Sequence, residues 1–387
     1  MTDEKRRKPK QMATVTRIGD RISELRLVDR APTASPPGFY LRAVLDALKM
    51  SQAQLAARTG LSTKHINQVI QGVATLSPEI AIVLERAVGV PSKVWNDMEA
   101  AHQDAQARER AQQRLGDYVH WLHQFPTEEL QRRGIVNNCT DAATQAGQLL
   151  SFFQVADPDA YSRVWSGAVA SGYRRAGHLK VDPNATALWL RLAEKASAEL
   201  DLAPYSQESF TNLLPKLKAL TRYENDEEAL RELQHLCAQV GVAVVYVADI
   251  KGSRACGAAR WPTPAHPMIV LSGRYQYADS FWFSFFHEAV HVTTHPKREI
   301  YIDLDQRTDN DDGLETEADR GAARHLLGPV VLKRLHQGMR HPQVRELADQ
   351  AGVHEGIIAG QLAHMYNEYP KYSRLRRKIE LPDTAHK

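Results

Sequence analysis

The chain has 387 residues, more than one ordinary hydrophobic core can use, so several domains are expected. Hydrophobic residues make up 43% and charged residues 25%, the balance of a soluble globular protein, and no apolar run approaches the roughly 20 residues needed to cross a bilayer, which excludes an integral membrane protein. The formal net charge of +3 is too small to mark the whole chain as nucleic-acid binding, so that question falls to local motifs.

Residues 1–36 read as a flexible arm with a basic start, Lys5, Arg6, Arg7, Lys8 and Lys10, and breakers at its end, Ser35-Pro36-Pro37-Gly38. No apolar signal core follows the basic start, so a cytoplasmic location is expected. Residues 37–100 carry short apolar periodicities that predict four or five small helices around one core. Residues 101–235 begin with AHQDAQARERAQQRL, a polar run without Gly or Pro that reads as a connecting helix, and stay helical in pattern beyond it. Residues 236–335 change character. VGVAVVYV, ACGAARW and MIVLS predict two or three strands of one small sheet, FWFSFFHEAVHVTTH a long buried helix, and ETEADRGAARHLL a second helix that stops at Gly328-Pro329. Residues 336–387 form a helical tail for packing or dimerisation, with a basic cluster of Lys371, Arg374, Arg376, Arg377 and Lys378 that serves either phosphate contact or solubility. The three cysteines, Cys139, Cys237 and Cys256, are too scattered for a disulfide framework or a Cys-x-x-Cys metal pair and read as buried small hydrophobes.

Two stretches carry chemistry. SQAQLAARTGLSTKHINQVIQG holds a helix, a turn at Gly60 and a second helix in the compass of a helix-turn-helix. Ser62 stands at the N-cap of the second helix; Ile66, Val69 and Ile70 face inward, and Thr63, Lys64, Asn67 and Gln68 face out, where short polar side chains can read base edges. Ser51 and Gln52 open the preceding helix at the height of phosphate oxygens.

The other stretch is His287-Glu288-Ala289-Val290-His291. Four residues of helix turn the chain by about 400°, so His287 and His291 project from one face and can share a metal ion, with Glu288 beside them as general base toward a metal-bound water. A catalytic zinc site takes three protein ligands and an open position. The expected third is Glu317, with Glu315, Asp319 and His295 as rivals.

These stretches carry two family resemblances. Phe39 to Glu109 resembles the lambda-repressor/Cro-type domain of the HigA antitoxin family, which implies operator DNA as partner and a homodimer. Leu236 to Pro329 resembles the ImmA/IrrE metallopeptidases on the HExxH helix and on Glu317, Ala318, Asp319, Leu326, Leu327 and Pro329. That resemblance implies a Zn2+ cofactor and cleavage of a protein partner. Two positions depart from it: Val290 stands where a glycine is common, crowding substrate approach, and Gly321 where a phenylalanine is usual, loosening its helix by about 1 kcal/mol relative to Ala.

The expected fold class is therefore mainly α: an N-terminal lambda-repressor-like helical domain, then an α+β zincin-like domain with a small sheet and the HExxH helix. The expected function is that of a DNA-binding transcriptional regulator with a zinc-dependent peptidase domain. The alternative is an antitoxin-like repressor whose second domain is a non-catalytic sensor or holds a toxin partner.

Overall fold

The computed structural model describes residues 35–138, 141–166, 169, 181–274, 276–296, 300–304 and 313–383. The basic start from Lys5 to Lys10 and Cys139 lie outside the described residues. Two compact units divide the chain between Asp117 and Tyr118.

Among the described residues, the first unit has the helices α1 (Pro37–Leu48), α2 (Gln52–Thr59), α3 (Thr63–Ile70), α4 (Pro78–Val88) and α5 (Ser92–Leu115). Its starts are set locally. Ser51 and Gln54 form a reciprocal capping box on α2, Ser62 accepts the His65 N–H at 3.1 Å, and Ser77 caps α4 ahead of Pro78. Gly60 ends α2 at φ 73°, a left-handed conformation that costs glycine nothing, and so makes the tight turn into α3. At Gly38, a Cβ would fall 2.0 Å from the Val69 carbonyl oxygen, so α1 rests directly on the last turn of α3. Leu41, Val44, Leu55, Ile66, Val69, Leu84 and Trp95 fill one core. Past Glu99, most of α5 is solvated and carries ion pairs one turn apart such as Arg108–Asp104. The polar connecting helix is thus the continuation of the fifth helix of this domain.

The second unit opens with helices, among them α6 (Ala142–Phe153), α7 (Pro183–Ala198), α8 (Gln207–Leu217) and α9 (Asp226–Ala238). Strands β1 (Ala243–Tyr246), β2 (Ala255–Arg260), β3 (Met268–Leu271) and β4 (Tyr301–Leu304) form a sheet of order β1-β3-β2-β4. β1 and β3 run parallel, and β2 is antiparallel to both of its neighbours. The three apolar runs became strands as their composition predicted; β4, four residues of Tyr-Ile-Asp-Leu, is too short for its alternation to stand out.

Both faces of the sheet are covered. Val244, Tyr246, Ile269 and Leu271 enter one large core with α10 (Ala278–Thr294), which lies over β2 and β3. Their alternate neighbours Ala243, Val245, Met268 and Val270 are equally buried on the other face, where α7 packs and Trp189 donates to the Val247 carbonyl at 2.9 Å. Alongside α10 runs α11 (Gly313–Arg334), which breaks at Gly328, φ 73° and ψ 158°, and resumes through Pro329.

The tail forms α12 (His341–Ala351) and α13 (Glu355–Tyr366), joined through Gly352 at φ 72°. Val344, Leu347, Ile357, Ile358 and Leu362 share the core of Phe281, Trp282, Phe285 and Phe286, which accounts for the tail as packing. The nearby basic cluster is partly consumed inside the fold: Arg376 pairs with Asp279 at 2.9 Å and Arg377 with Asp226 at 2.8 Å. Cys237 and Cys256 are buried. Among the described residues, no helix is long and apolar enough to cross a membrane.

Candidate DNA interface and metal centre

In the first unit, the amphipathic phase of α3 decides what it offers. Ile66, Val69 and Ile70 are buried, Thr63 and Lys64 are exposed, and Asn67 and Gln68 are half-buried along the same helix. At the start of α2, Ser51 is exposed and Gln52 half-buried. The Ser51 oxygen already accepts the Gln54 N–H at 3.2 Å, and its own hydroxyl proton remains able to donate to a phosphate. Residues 41–95 match the family model described as Helix-turn-helix, a span that runs from the core face of α1 to Trp95 in the first turn of α5. The first unit is a helix-turn-helix domain, and the match supports a DNA-binding transcription regulator. No match to a curated protein is found.

In the second unit, α10 is buried along most of its length because its aromatics face the core, and that burial carries His287, Glu288 and His291 inside with them. The only group of three metal-capable side chains among the described residues is His287, His291 and Glu315; one ligand atom from each lies within 4.8 Å of the other two. His287 Nε2 is 3.1 Å from Glu315 Oε2, His291 Nε2 is 3.5 Å from Glu315 Oε1, and the two Nε2 atoms are 2.9 Å apart. All three side chains are buried, Glu315 in the first turn of α11.

Glu317, the expected third ligand, is elsewhere. Two residues along a helix amount to about 200° of rotation, so with Glu315 turned toward α10, Glu317 turns away. Its side chain is 56% exposed, and its Oε2 lies 3.5 Å from His295 Nε2. Asp319, one turn beyond Glu315 on the same face, reaches His287 from the other side, with Oδ1 2.9 Å from Nδ1. The sequence signal for this pair was the i, i+4 spacing of Glu315 and Asp319, which repeats that of His287 and His291. His295, at the end of α10, lies with its Nδ1 2.7 Å from His291 Nδ1. Tyr301 of β4 stacks on the His291 ring, centroids 4.1 Å apart and planes 19° from parallel, and its ring centroid is 5.4 Å from that of His295.

The electrostatics suit a cation. Burial pushes the His291 imidazole down to about 4, so it is neutral and has a lone pair to give. Burial alone would raise the Glu315 carboxyl, but the imidazoles of His287 and His291 beside it hold it well below the usual carboxylate range, hence ionised. Two neutral imidazoles and one carboxylate are a donor set that divalent zinc accepts, and ligation requires these protonation states.

Glu288 is fully buried and leans toward the sheet. A Cβ on Gly257 of β2 would lie 2.8 Å from Glu288 Oε1 and 3.2 Å from its Cγ, so the missing side chain at Gly257 is the space that Glu288 occupies. Val290 points at α11: a Cβ on Gly321 would meet its Cγ2 at 2.6 Å. Val290 is buried, and the expected crowding of a substrate by this side chain gives way to a contact between two helices.

Proposed function

We propose that this chain is a cytoplasmic transcription regulator that binds operator DNA as a homodimer through its first unit and carries a zinc-dependent peptidase in its second, acting on a protein partner. The observation that carries the peptidase half is the convergence of His287, His291 and Glu315 on one point inside the protein. The resemblance to the ImmA/IrrE metallopeptidases over residues 236–329 points the same way.

His287, His291 and Glu315 would hold the zinc, with Asp319 accepting a hydrogen bond from His287 Nδ1–H and so turning its Nε2 inward. Zinc bound there would lower the pKa of its water and polarise a scissile carbonyl. Glu288, next to His287 on the helix and accommodated against the sheet by the missing side chain at Gly257, is the group to take the proton from the attacking water and return it to the leaving amine. On the DNA side, Thr63, Asn67 and Gln68 of α3 face the base edges, Lys64 at the N-terminal end of the same helix reaches a phosphate, and Ser51 and Gln52 face the backbone.

The test is metal analysis of the purified full chain alongside its His287→Ala variant, followed by co-expression with the proteins encoded beside it. One zinc per chain, absent from the variant, and a partner cleaved by wild type and left intact by Glu288→Gln are the expected results. Zinc bound with every candidate partner left whole would turn the reading to an antitoxin-like repressor whose second unit is a sensor. No zinc in the wild type would end the peptidase reading and leave the DNA-binding half standing.

A further inference from the structure

The two histidines of the proposed metal centre are backed differently. His287 has a carboxylate behind it, the usual partner of a ligating imidazole, whereas His291 has a second imidazole, that of His295, with their Nδ1 atoms 2.7 Å apart. At that distance two lone pairs would repel, so one of the two nitrogens carries the hydrogen. If the hydrogen is on His295, His291 has its own on Nε2, aimed into the group formed with His287 and Glu315, and it cannot ligate. If it is on His291, Nε2 presents its lone pair to that group.

Resting on the zinc reading above, we infer that His295 is a positioning residue that accepts the Nδ1–H of His291 and thereby presents the Nε2 lone pair of His291 to the metal. The surroundings of His295 fit an acceptor at Nδ1. The side chain is buried at the C-terminus of α10, where helical phase stacks it one turn beyond His291. A neutral His295 that accepts at Nδ1 carries its own hydrogen on Nε2, and that atom faces the Glu317 carboxylate, with Oε2 at 3.5 Å. This distance exceeds a normal hydrogen bond, and the His295 Nε2 is buried with no hydrogen-bond partner. Glu317 therefore contributes a favourable field with no fixed geometry, and the orienting contact is the one between the two imidazoles. Tyr301 stacks on the face of the His291 ring, centroids 4.1 Å apart, and limits its tilting, which leaves the choice of tautomer as what His295 controls.

The experiment compares zinc affinity, by chelator competition on the full chain, among wild type, His295→Asn and His295→Leu. Asparagine places an acceptor oxygen near the former Nδ1; leucine fills the space without one. The leucine variant is expected to bind zinc 10- to 100-fold more weakly, the usual cost of losing such a partner, and the asparagine variant to stay within about threefold of wild type. Nitrogen-15 spectra of the zinc-loaded chain should show the proton on His291 Nδ1 in wild type and in the asparagine variant. Leucine-variant affinity equal to wild type, or an asparagine variant as weak as leucine in a chain that melts at the wild-type temperature, overturns the inference and leaves the zinc reading intact. A wild type that takes up no zinc removes both, which is a different result from either of those.

Discussion

Val290 on α10 and Gly321 on α11 face each other across the contact between these helices, so close that a Cβ at 321 would lie 2.6 Å from Val290 Cγ2 and 3.2 Å from Cγ1. They are also the two positions at which the sequence departs from the ImmA/IrrE pattern. The departures therefore offset each other: the volume added at 290 sits over the volume removed at 321. Gly321→Ala should destabilise the second unit by roughly 1–3 kcal/mol through overpacking, despite the better helix propensity of alanine. Val290→Ala relieves that clash, so the double variant should be more stable than the sum of the single changes by about 0.5–3 kcal/mol. Urea denaturation of the four proteins measures this coupling, and strict additivity would show that the contact does not exist.

The third ligand separates two carboxylates only two residues apart. Glu315→Gln removes the one between the histidines and should abolish stoichiometric zinc, while Glu317→Gln should leave the metal content at one per chain. Equilibrium dialysis with zinc decides between them, and the reverse pattern would restore the expectation drawn from the sequence.

What could be read from the residues and what could not follow from the range of the interactions. The capping serines 51 and 62, the turn at Gly60 and the period of Ile66, Val69 and Ile70 are local, and the first unit follows from them. The histidine pair was legible because both residues lie on one helix. Which carboxylate joins them depends on how α11 is rotated against α10, and that phase is set by packing such as Val290 against Gly321, which no local pattern encodes. The partners of Tyr301 and Arg376 were hidden for the same reason: both residues acquire their meaning only from His291 and Asp279, distant in sequence.

The Asp279–Arg376 pair ties the tail to the start of α10. Both side chains are about nine-tenths buried, Arg376 lies over the Tyr277 ring at 4.1 Å, and a Cβ on Gly360 of α13 would fall 2.1 Å from Asp279 Oδ2. Burial raises the Asp279 carboxyl, and the Arg376 guanidinium opposes that rise. Arg376→Ala leaves a buried carboxylate without its partner and should cost about 3–5 kcal/mol, whereas replacing both residues by apolar ones of similar size should cost much less. Thermal unfolding of the single and double variants gives the comparison, and equal losses would assign the effect to packing of the arginine stem.

Acid should weaken the metal-free second unit in a defined window. Folded His291 takes up its proton near pH 4, whereas an unfolded histidine does so near 6.5, so between these values the unfolded chain binds more protons and stability falls as pH falls. The contribution is complete above pH 6.5, amounts to roughly 3 kcal/mol at most for a shift of this size, and is gone below about pH 4. Glu315, held below its unfolded value, extends the loss in the same direction at lower pH. Urea midpoints of the chelator-treated chain from pH 7.5 to 4.5, followed by tryptophan fluorescence, should decline, and His291→Gln should flatten the upper part of that decline. A midpoint that rises on acidification would contradict the sign.

On the DNA side, the polar residues of α3 differ in what they can contact, and salt tells the contacts apart. Lys64 is exposed at the N-terminal end of the helix and has a flexible point charge suited to a phosphate, while Asn67 lies half-buried one turn along, with an amide that can pair with an adenine edge. Lys64→Ala should weaken binding to all sequences alike and reduce the slope of log K against log salt by about 1, the loss of one displaced counterion. Asn67→Ala should leave that slope unchanged, cost about 1–3 kcal/mol on the operator and little on unrelated DNA. Because both substitutions lie outside the buried face of Ile66, Val69 and Ile70, unfolding of the first unit should be unchanged in each. Operator fragments selected from the DNA next to the gene, titrated at several salt concentrations, provide the measurement. Operator affinity untouched by both changes would remove α3 from the groove and make the first unit a protein-binding module.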